Sequence, residues 1–367
     1  MIARGLDALH TRKAAFILRD ALADWQAGRL VRPRLGHRAA SVLAVAILVV
    51  PPTLVAGALL LAVAAWPSIP ATIMAALLAL MGLFLWPWRP KLPGGLLRAE
   101  DIPETFAQLD ALSDAMDAPR ITALRIEEDA NASVAQYRGE IVLSIGALLW
   151  RAATPEERRA VLAHEIGHLI NGDPKRGGVV WRARQMLGRW HSLVVPEGSG
   201  GESLASEVVQ VPLTLAIEML DATLTRLIYA ESQRAEYLAD ALGARAASSE
   251  AMVSALALLA RAPLLEARFN RLFGPAAPPG VGCVDWIAEA LTDPPEADAK
   301  RISEEMAAVR HTVDTSHPPT AHRIAFLRAL DLRVPDDPPV GGEELDAEWA
   351  PHLTRIGDRW RCEATVQ

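Results

Sequence analysis

The chain has 367 residues, 51% of them hydrophobic but only 5% aromatic, with a mean hydropathy of +0.17 and a formal charge of -7. That length leaves room for one large core or two ordinary ones, and so high an apolar fraction argues against a wholly soluble chain. Cys283 and Cys362 lie far apart and outside any C-x-x-C spacing, which argues against a disulfide framework or a thiolate metal site and fits a reducing compartment. Residues 1–38 carry eight Lys/Arg against Asp7, Asp20 and Asp24, whereas from Arg89 onward 29 basic residues face 41 acidic ones. A basic arm beside a long apolar stretch is better used at a membrane surface than on nucleic acid.

No charged residue occurs between Arg38 and Arg89, and about twenty apolar residues cross roughly 30 Å of hydrocarbon. Trp66-Pro67-Ser68-Ile69-Pro70 divides the run, and Trp86 and Trp88 mark its far end. The expectation is a transmembrane helical hairpin over 39–88, with arms at about 40–65 and 69–88 and a bend at Pro51-Pro52. The length and position of the run argue against a cleaved signal peptide, and a soluble hairpin would need burial on nearly every face. Arg29, Arg32, Arg34 and Arg38 before it, with Arg89, Lys91 and Arg98 after it, place both flanks on the cytoplasmic side.

After a linker at 90–95, the pattern predicts a helix over 101–118 with Pro103 in its first turn. Ile121–Glu127 and Glu140–Ile145 read as a hairpin or as adjacent strands, with turn chemistry at Asn131-Ala-Ser and Tyr137-Arg-Gly between them. Thr154-Pro-Glu-Glu is a helix start, with Thr154 as cap and Glu157 three residues on, and Asn171-Gly-Asp-Pro ends that helix. Stretches 178–195 and 204–245 read as amphipathic helices interrupted by charges such as Arg184, Glu218 and Asp221. Further helices are expected over 250–273 and 285–311, and 334–350, rich in Pro, Gly and acid, reads as a loosely ordered tail.

The chemistry concentrates in His164-Glu165-Ile166-Gly167-His168 on the helix begun at Thr154. Histidines at i and i+4 project from one helical face and can chelate one zinc ion, with the intervening Glu beside the open coordination position. Zinc brings the pKa of a bound water to about 7, and a carboxylate can then take its proton as it attacks a carbonyl. Two histidines on an ordinary surface helix are the bland alternative, but Val161, Leu162, Ile166 and Leu169 suggest a buried helix, where histidines need partners. A third ligand is available in Glu236-Tyr-Leu-Ala-Asp240, whose like charges at i, i+4 disfavour a helix unless a cation is near. Glu236 is the better ligand, and Asp240 can hydrogen-bond the far nitrogen of a ligating His; the alternative is a solvated acidic face paired with Arg234 or Arg245.

HEIGH preceded by Thr-Pro-Glu-Glu, the Glu236–Asp240 segment and Ser316-His-Pro-Pro-Thr-Ala-His-Arg323-Ile324 together resemble the HtpX-type and CAAX-prenyl-protease family of membrane metallopeptidases over roughly 100–330. Asn131-Ala132-Ser133 is similar to that family's Asn-Ala segment beside the substrate-binding strand. The resemblance implies one Zn2+ held by His164, His168 and Glu236, with Glu165 as general base and Asp240 on His164. It also implies His317 as oxyanion stabiliser and substrate contacts at Asn131 and Ala132; spacing alone favours His317 as a turn residue before Pro-Pro. Arg323 could orient nearby carboxylates or simply cover the surface. Two departures stand out. The family carries Ser-Arg four and three residues before the ligand Glu, whereas Ser232 is followed by Gln233 and the Arg is displaced to 234. Its members also tend to have two further spans between the zinc and Glu helices, where 174–230 is charged.

The expected architecture is mainly α with a small β-sheet (α+β): a basic N-terminal cytoplasmic arm over 1–38, the transmembrane hairpin, and a zincin-like metallopeptidase domain over 96–333. That domain carries an amphipathic insertion at 174–230, and an acidic tail at 334–367 follows. The expected function is a multi-pass inner-membrane zinc endopeptidase whose protease domain faces the cytoplasm. It would cleave peptide or membrane-protein substrates in membrane-protein quality control, holding an extended peptide along the 138–145 strand. The expected partners are that substrate and the lipid bilayer, not nucleic acid. A non-catalytic zinc-binding membrane adaptor and a prenyl-protein processing protease are the alternatives.

Overall fold

The charge-free run folds as two helices, α2 (Leu35–Ala64) and α3 (Ile69–Phe84), which follow an N-terminal helix, α1 (Ile2–Gln26). In a computed structural model the described residues are 2–28, 35–86, 91–137, 139–170, 178–195, 204–272, 282–309, 317–333 and 340–366. The expected helix end at Asn171–Pro174 therefore lies outside the described residues. The chain divides into two units, one of Arg32–Lys91 with Pro174–Glu231, the other of Met1–Val31, Leu92–Asp173 and Ser232–Gln367.

The first unit contains α2, α3, α7 (Gly178–Val194) and the leading part of α8 (Leu204–Ala246). Gly82 lets α3 close on α2 beside the prolines: a Cβ there would stand 2.8 Å from Val55 Cγ2 and 2.9 Å from the Pro51 carbonyl oxygen. The helix α2 runs on through Pro51-Pro52. Ala40, Ala44 and Ile47 pack with Val180, Ala183 and Leu187 of α7 and with Leu224 and Ile228 of α8. The charges that interrupt these last two helices face each other: Arg184 donates to both oxygens of Asp221 at 2.7 and 3.1 Å, and His191 lies 3.5 Å from Glu218. Among the described residues one helix, Gly36–Ala64, is long and apolar enough to cross a membrane. With 16 residues, α3 makes about 24 Å of helix.

The second unit is built on a four-stranded sheet of order β1-β2-β4-β3: β1 (Leu96–Leu97), β2 (Ala123–Glu127), β3 (Ala132–Tyr137) and β4 (Glu140–Gly146). The expected pair of adjacent strands is present as β2 and β4, which run parallel with Leu124 opposite Leu143. The segment assigned turn chemistry is itself a strand, β3, antiparallel to β4 with Val134 opposite Leu143. Since β4 has neighbours on both sides, its backbone groups are committed to the sheet, and the 138–145 stretch cannot receive a substrate strand; Arg138 itself is not described.

One face of the sheet, with Leu124, Val134, Ile141, Leu143 and Ile145, packs on α4 (Pro103–Ala115) and on the inner sides of α6 (Pro155–Ile170) and α8. A second core forms around α5 (Ala147–Ala152), α9 (Ser249–Leu259), α10 (Leu264–Leu272) and α11 (Cys283–Thr292). The two long helices expected over 250–273 and 285–311 are each divided. The link at 260–263 separates α9 from α10, and Asp293-Pro294-Pro295 separates α11 from α12 (Glu296–Ala308), because prolines cannot continue a helix's hydrogen bonds.

The described part of the tail, 340–366, is not loose. Residues Glu343–Val366 form α14, which follows α13 (Thr320–Leu330). Its Leu345, Trp349, Ile356 and Trp360 are buried at helical spacing. Trp349 stacks on Trp150 at 4.0 Å between ring centroids, and Glu348 accepts from the backbone N–H groups of Glu104 and Thr105 in the first turn of α4 at 2.7 and 2.9 Å. Composition suggested a loose tail; the apolar period decided otherwise. Likewise the basic arm contains a packed helix, with Ala14, Ile17 and Ala21 of α1 buried at spacings of three and four.

Candidate metal centre

The helix α6 begins as its sequence predicts. Thr154 N–H donates to Glu157 Oε2 at 2.8 Å and Glu157 N–H to Thr154 Oγ1 at 3.3 Å, a reciprocal cap. Farther along, Arg159 Nε donates to the Ala246 carbonyl at 2.6 Å and ties α6 to the last turn of α8. Two glycines set the approach of these helices: a Cβ at Gly167 would stand 3.2 Å from Ala239 Cα, and one at Gly243 2.8 Å from the Ala160 carbonyl oxygen. The crossing is closed by small residues, which lets the histidines of one helix reach the carboxylates of the other. Sequence reasoning missed it, although Ala239 and Gly243, one turn apart, were a readable sign.

At the crossing, His164 Nε2 and His168 Nε2 lie 3.2 Å apart. Glu236 Oε2 is 3.8 Å from the first and Glu236 Oε1 3.7 Å from the second, with all three side chains buried. Donors bound at about 2.0–2.1 Å to a tetrahedral ion stand about 3.3 Å from one another. These atoms already stand near that spacing, and two imidazole nitrogens with one carboxylate oxygen are a donor set that zinc accepts.

Asp240 is fully buried with Oδ1 3.0 Å from His164 Nδ1. Arg323, also buried, donates through Nε to Asp240 Oδ2 at 2.8 Å and through Nη2 to Oδ1 at 2.5 Å. Burial pushes the Asp240 carboxyl up, but the Arg323 charge and hydrogen bonds, joined by His164, outweigh it and hold the group below its ordinary value. Burial likewise raises the Glu236 carboxyl, and the His317 hydrogen bond with the charges of His168, His317 and Arg323 brings it well below. Burial lowers the Arg323 guanidinium, and Asp240, Glu236 and Glu165 more than reverse that. Of its two sequence readings, Arg323 takes the first: it grips a carboxylate.

Glu165 is buried, with Oε1 4.0 Å from the Nε2 of His164 that faces the cluster. His317, half exposed, contacts Glu236 Oε2 through Nδ1 at 2.5 Å. A cleft of about 850 Å³ is lined by His164, Glu165, His317 and Arg323 and by the apolar Met252, Leu256 and Phe269. Asn131 and Ala132 line the same cleft at the start of β3; Asn131 Oδ1 accepts from Ala132 N–H at 2.9 Å, and its carbonyl accepts from Gly146 N–H at 2.7 Å. All eight residues singled out from sequence thus fall in or around one centre.

A model of the family described as peptidase family M48 matches residues 97–331, which spans α6, α8 and Arg323. The chain belongs to peptidase family M48. Among curated M48-like relatives, the protein named Protease HtpX of Pseudomonas putida (strain GB-1) is 27% identical over 194 residues, which is 48% of this chain and 64% of the relative. Protease HtpX of Psychrobacter sp. (strain PRwf-1) is 26% identical over 195 residues, 48% of this chain and 63% of the relative. The match therefore spans a little under two thirds of these relatives' own length. No solved structure matches this M48 chain.

Proposed function

We propose that this M48 chain is a membrane-anchored zinc endopeptidase. The observation that carries the reading is the convergence of His164, His168 and Glu236, with His164 and Glu165 lining an open cleft. The three would hold one zinc ion, which supplies Lewis acidity to the scissile carbonyl and lowers the pKa of a water molecule. Glu165 is the general base: its carboxylate takes a proton from the attacking water and returns it to the leaving amine nitrogen. Asp240 keeps the proton of His164 on Nδ1, so that the lone pair on Nε2 points into the centre, and Arg323 fixes Asp240. His317, at the cleft edge, donates to the oxygen that gains negative charge. The peptide lies along the cleft past Asn131 and Ala132.

The proposed setting is the cytoplasmic side of a cell membrane, in membrane-protein quality control, the kind of role the family resemblance implies. Side chains such as Val42, Leu60 and Val63 of α2 and Ile69, Leu77 and Leu80 of α3 are exposed, which suits lipid contact. In α7 and α8 the pairing of Arg184 with Asp221 offsets part of the cost of charge in a low-dielectric surrounding. The domain limits read from sequence are kept in this proposal, except that α1 and α14 are added to the peptidase body.

The test is Glu165→Gln in the detergent-solubilised protein. It should keep zinc at the wild-type level and lose about 10²- to 10⁴-fold in cleavage of a casein or membrane-protein substrate; unaltered cleavage would remove Glu165 from its role.

A further inference from the structure

We infer that the N-terminal helix α1 is a backstop for the ligand-bearing segment of α8, with Asp20 a positioning residue that acts through Arg234. The inference rests on the reading that Glu236 holds the metal. It concerns a part of the chain, residues 2–26, that the family match does not reach.

Arg234 is buried two residues before Glu236, and its Nη2 donates to Asp20 Oδ2 at 2.5 Å across 214 residues of sequence. Successive helical residues turn by about 100°, so side chains two apart point about 200° from one another. Glu236 faces the histidines; Arg234 therefore faces the opposite way, towards α1. The segment 232–240 is then held from two sides, in front by Asp240 on Arg323 and behind by Arg234 on Asp20.

The apolar face of α1 supports the same arrangement. Ala14, Ile17 and Ala21 are buried, and Trp25 packs on the cluster that contains Ile166 of the His-bearing helix with Leu238 and Leu242 of α8. α1 also packs on α13, the helix that carries Arg323. Functional constellations lose activity when their supports let them drift by about 0.5 Å, and a buried guanidinium deprived of its carboxylate forces its backbone to move or admit water. A shift of α8 at residue 234 is delivered one half-turn later, at the ligand carboxylate. The displaced arginine noted in the sequence is thus not idle: at 234 it reaches a partner supplied by this chain's own N-terminal helix.

The experiment compares full-length Asp20→Asn, Ile17→Ala, the exchanged pair Asp20→Arg with Arg234→Asp, and Glu236→Ala, by chelator competition for zinc, circular dichroism and cleavage kinetics. Asp20→Asn is expected to weaken zinc binding at least tenfold and to lower kcat while KM stays within about twofold. Ile17→Ala, which loosens α1 without touching the ion pair, should shift zinc affinity in the same direction, and the exchanged pair should recover part of the loss. Wild-type zinc affinity in folded Asp20→Asn overturns the inference. Should Asp20→Asn fail to fold, wild-type affinity in folded Ile17→Ala does the same. Zinc retained by Glu236→Ala would instead overturn the ligand assignment, whereas zinc lost there but kept in Asp20→Asn sinks the backstop alone.

Discussion

Asp240 Oδ1 stands 3.0 Å from His164 Nδ1 while Arg323 grips both oxygens of the same carboxylate. Asp240→Asn keeps the shape but gives up the negative charge that favours a proton on Nδ1. Zinc affinity should fall about 10- to 100-fold, the range for partners that orient a ligand, in a chelator titration. Arg323→Met should do more harm, because it strands a fully buried carboxylate. Equal affinity for Asp240→Asn and wild type would show that the contact is incidental.

The α6–α8 crossing predicts a contrast between glycines. At Gly243 an added methyl would stand 2.8 Å from the Ala160 carbonyl oxygen, whereas at Gly57 nothing lies within 4 Å. Gly243→Ala should cost about 1–3 kcal/mol as an overpacked site and reduce bound zinc. Gly57→Ala, inside α2, should be neutral or stabilising by about 0.5–1 kcal/mol. Thermal melts with metal analysis read both, and a benign Gly243→Ala would mean the helices have slack.

Removing Trp349 empties the space against Trp150, whose ring also carries the Arg158 guanidinium carbon 4.5 Å from its centroid. Trp349→Ala should cost about 3–5 kcal/mol in urea unfolding of the peptidase body. Ending the chain after residue 333 should be worse, since Glu348 is lost from the first turn of α4 as well. A truncated protein with wild-type stability would return α14 to the status of an appendage.

Metal binding to a site formed only in the folded chain is also stability. Zinc at a thousandfold its Kd should add about 4 kcal/mol, seen as a rise in Tm on titration, and Glu236→Ala should abolish most of that rise. A similar rise in the variant would place the bound ion elsewhere.

What was legible in the sequence was local. The cap at Thr154 and Glu157, the i, i+4 histidines, and the like charges of Glu236 and Asp240 each depend on a few adjacent residues, and helix geometry converts such spacings directly into a shared face. A run of fifty uncharged residues is local too, which is why α2 and α3 divide where the Trp66–Pro70 segment falls, although α2 begins at Leu35 and α3 ends at Phe84. The strand β3 escaped because Asn131 and Ser133 resemble a turn until β4 offers a ladder, and α14 escaped because acid and proline masked an apolar period that matters only once Trp150 is there to meet it.

Sequence alone, then, determined the chemistry available: two imidazoles, a carboxylate between them and a second acidic helix, together with the charge-free segment. Tertiary structure decided whether those groups meet, since Asp20 with Arg234, Arg184 with Asp221, and Gly243 with Ala160 are separated by tens to hundreds of residues. No periodicity encodes such pairings. They are selected by which close approaches the packed interior permits and which buried charges it can match.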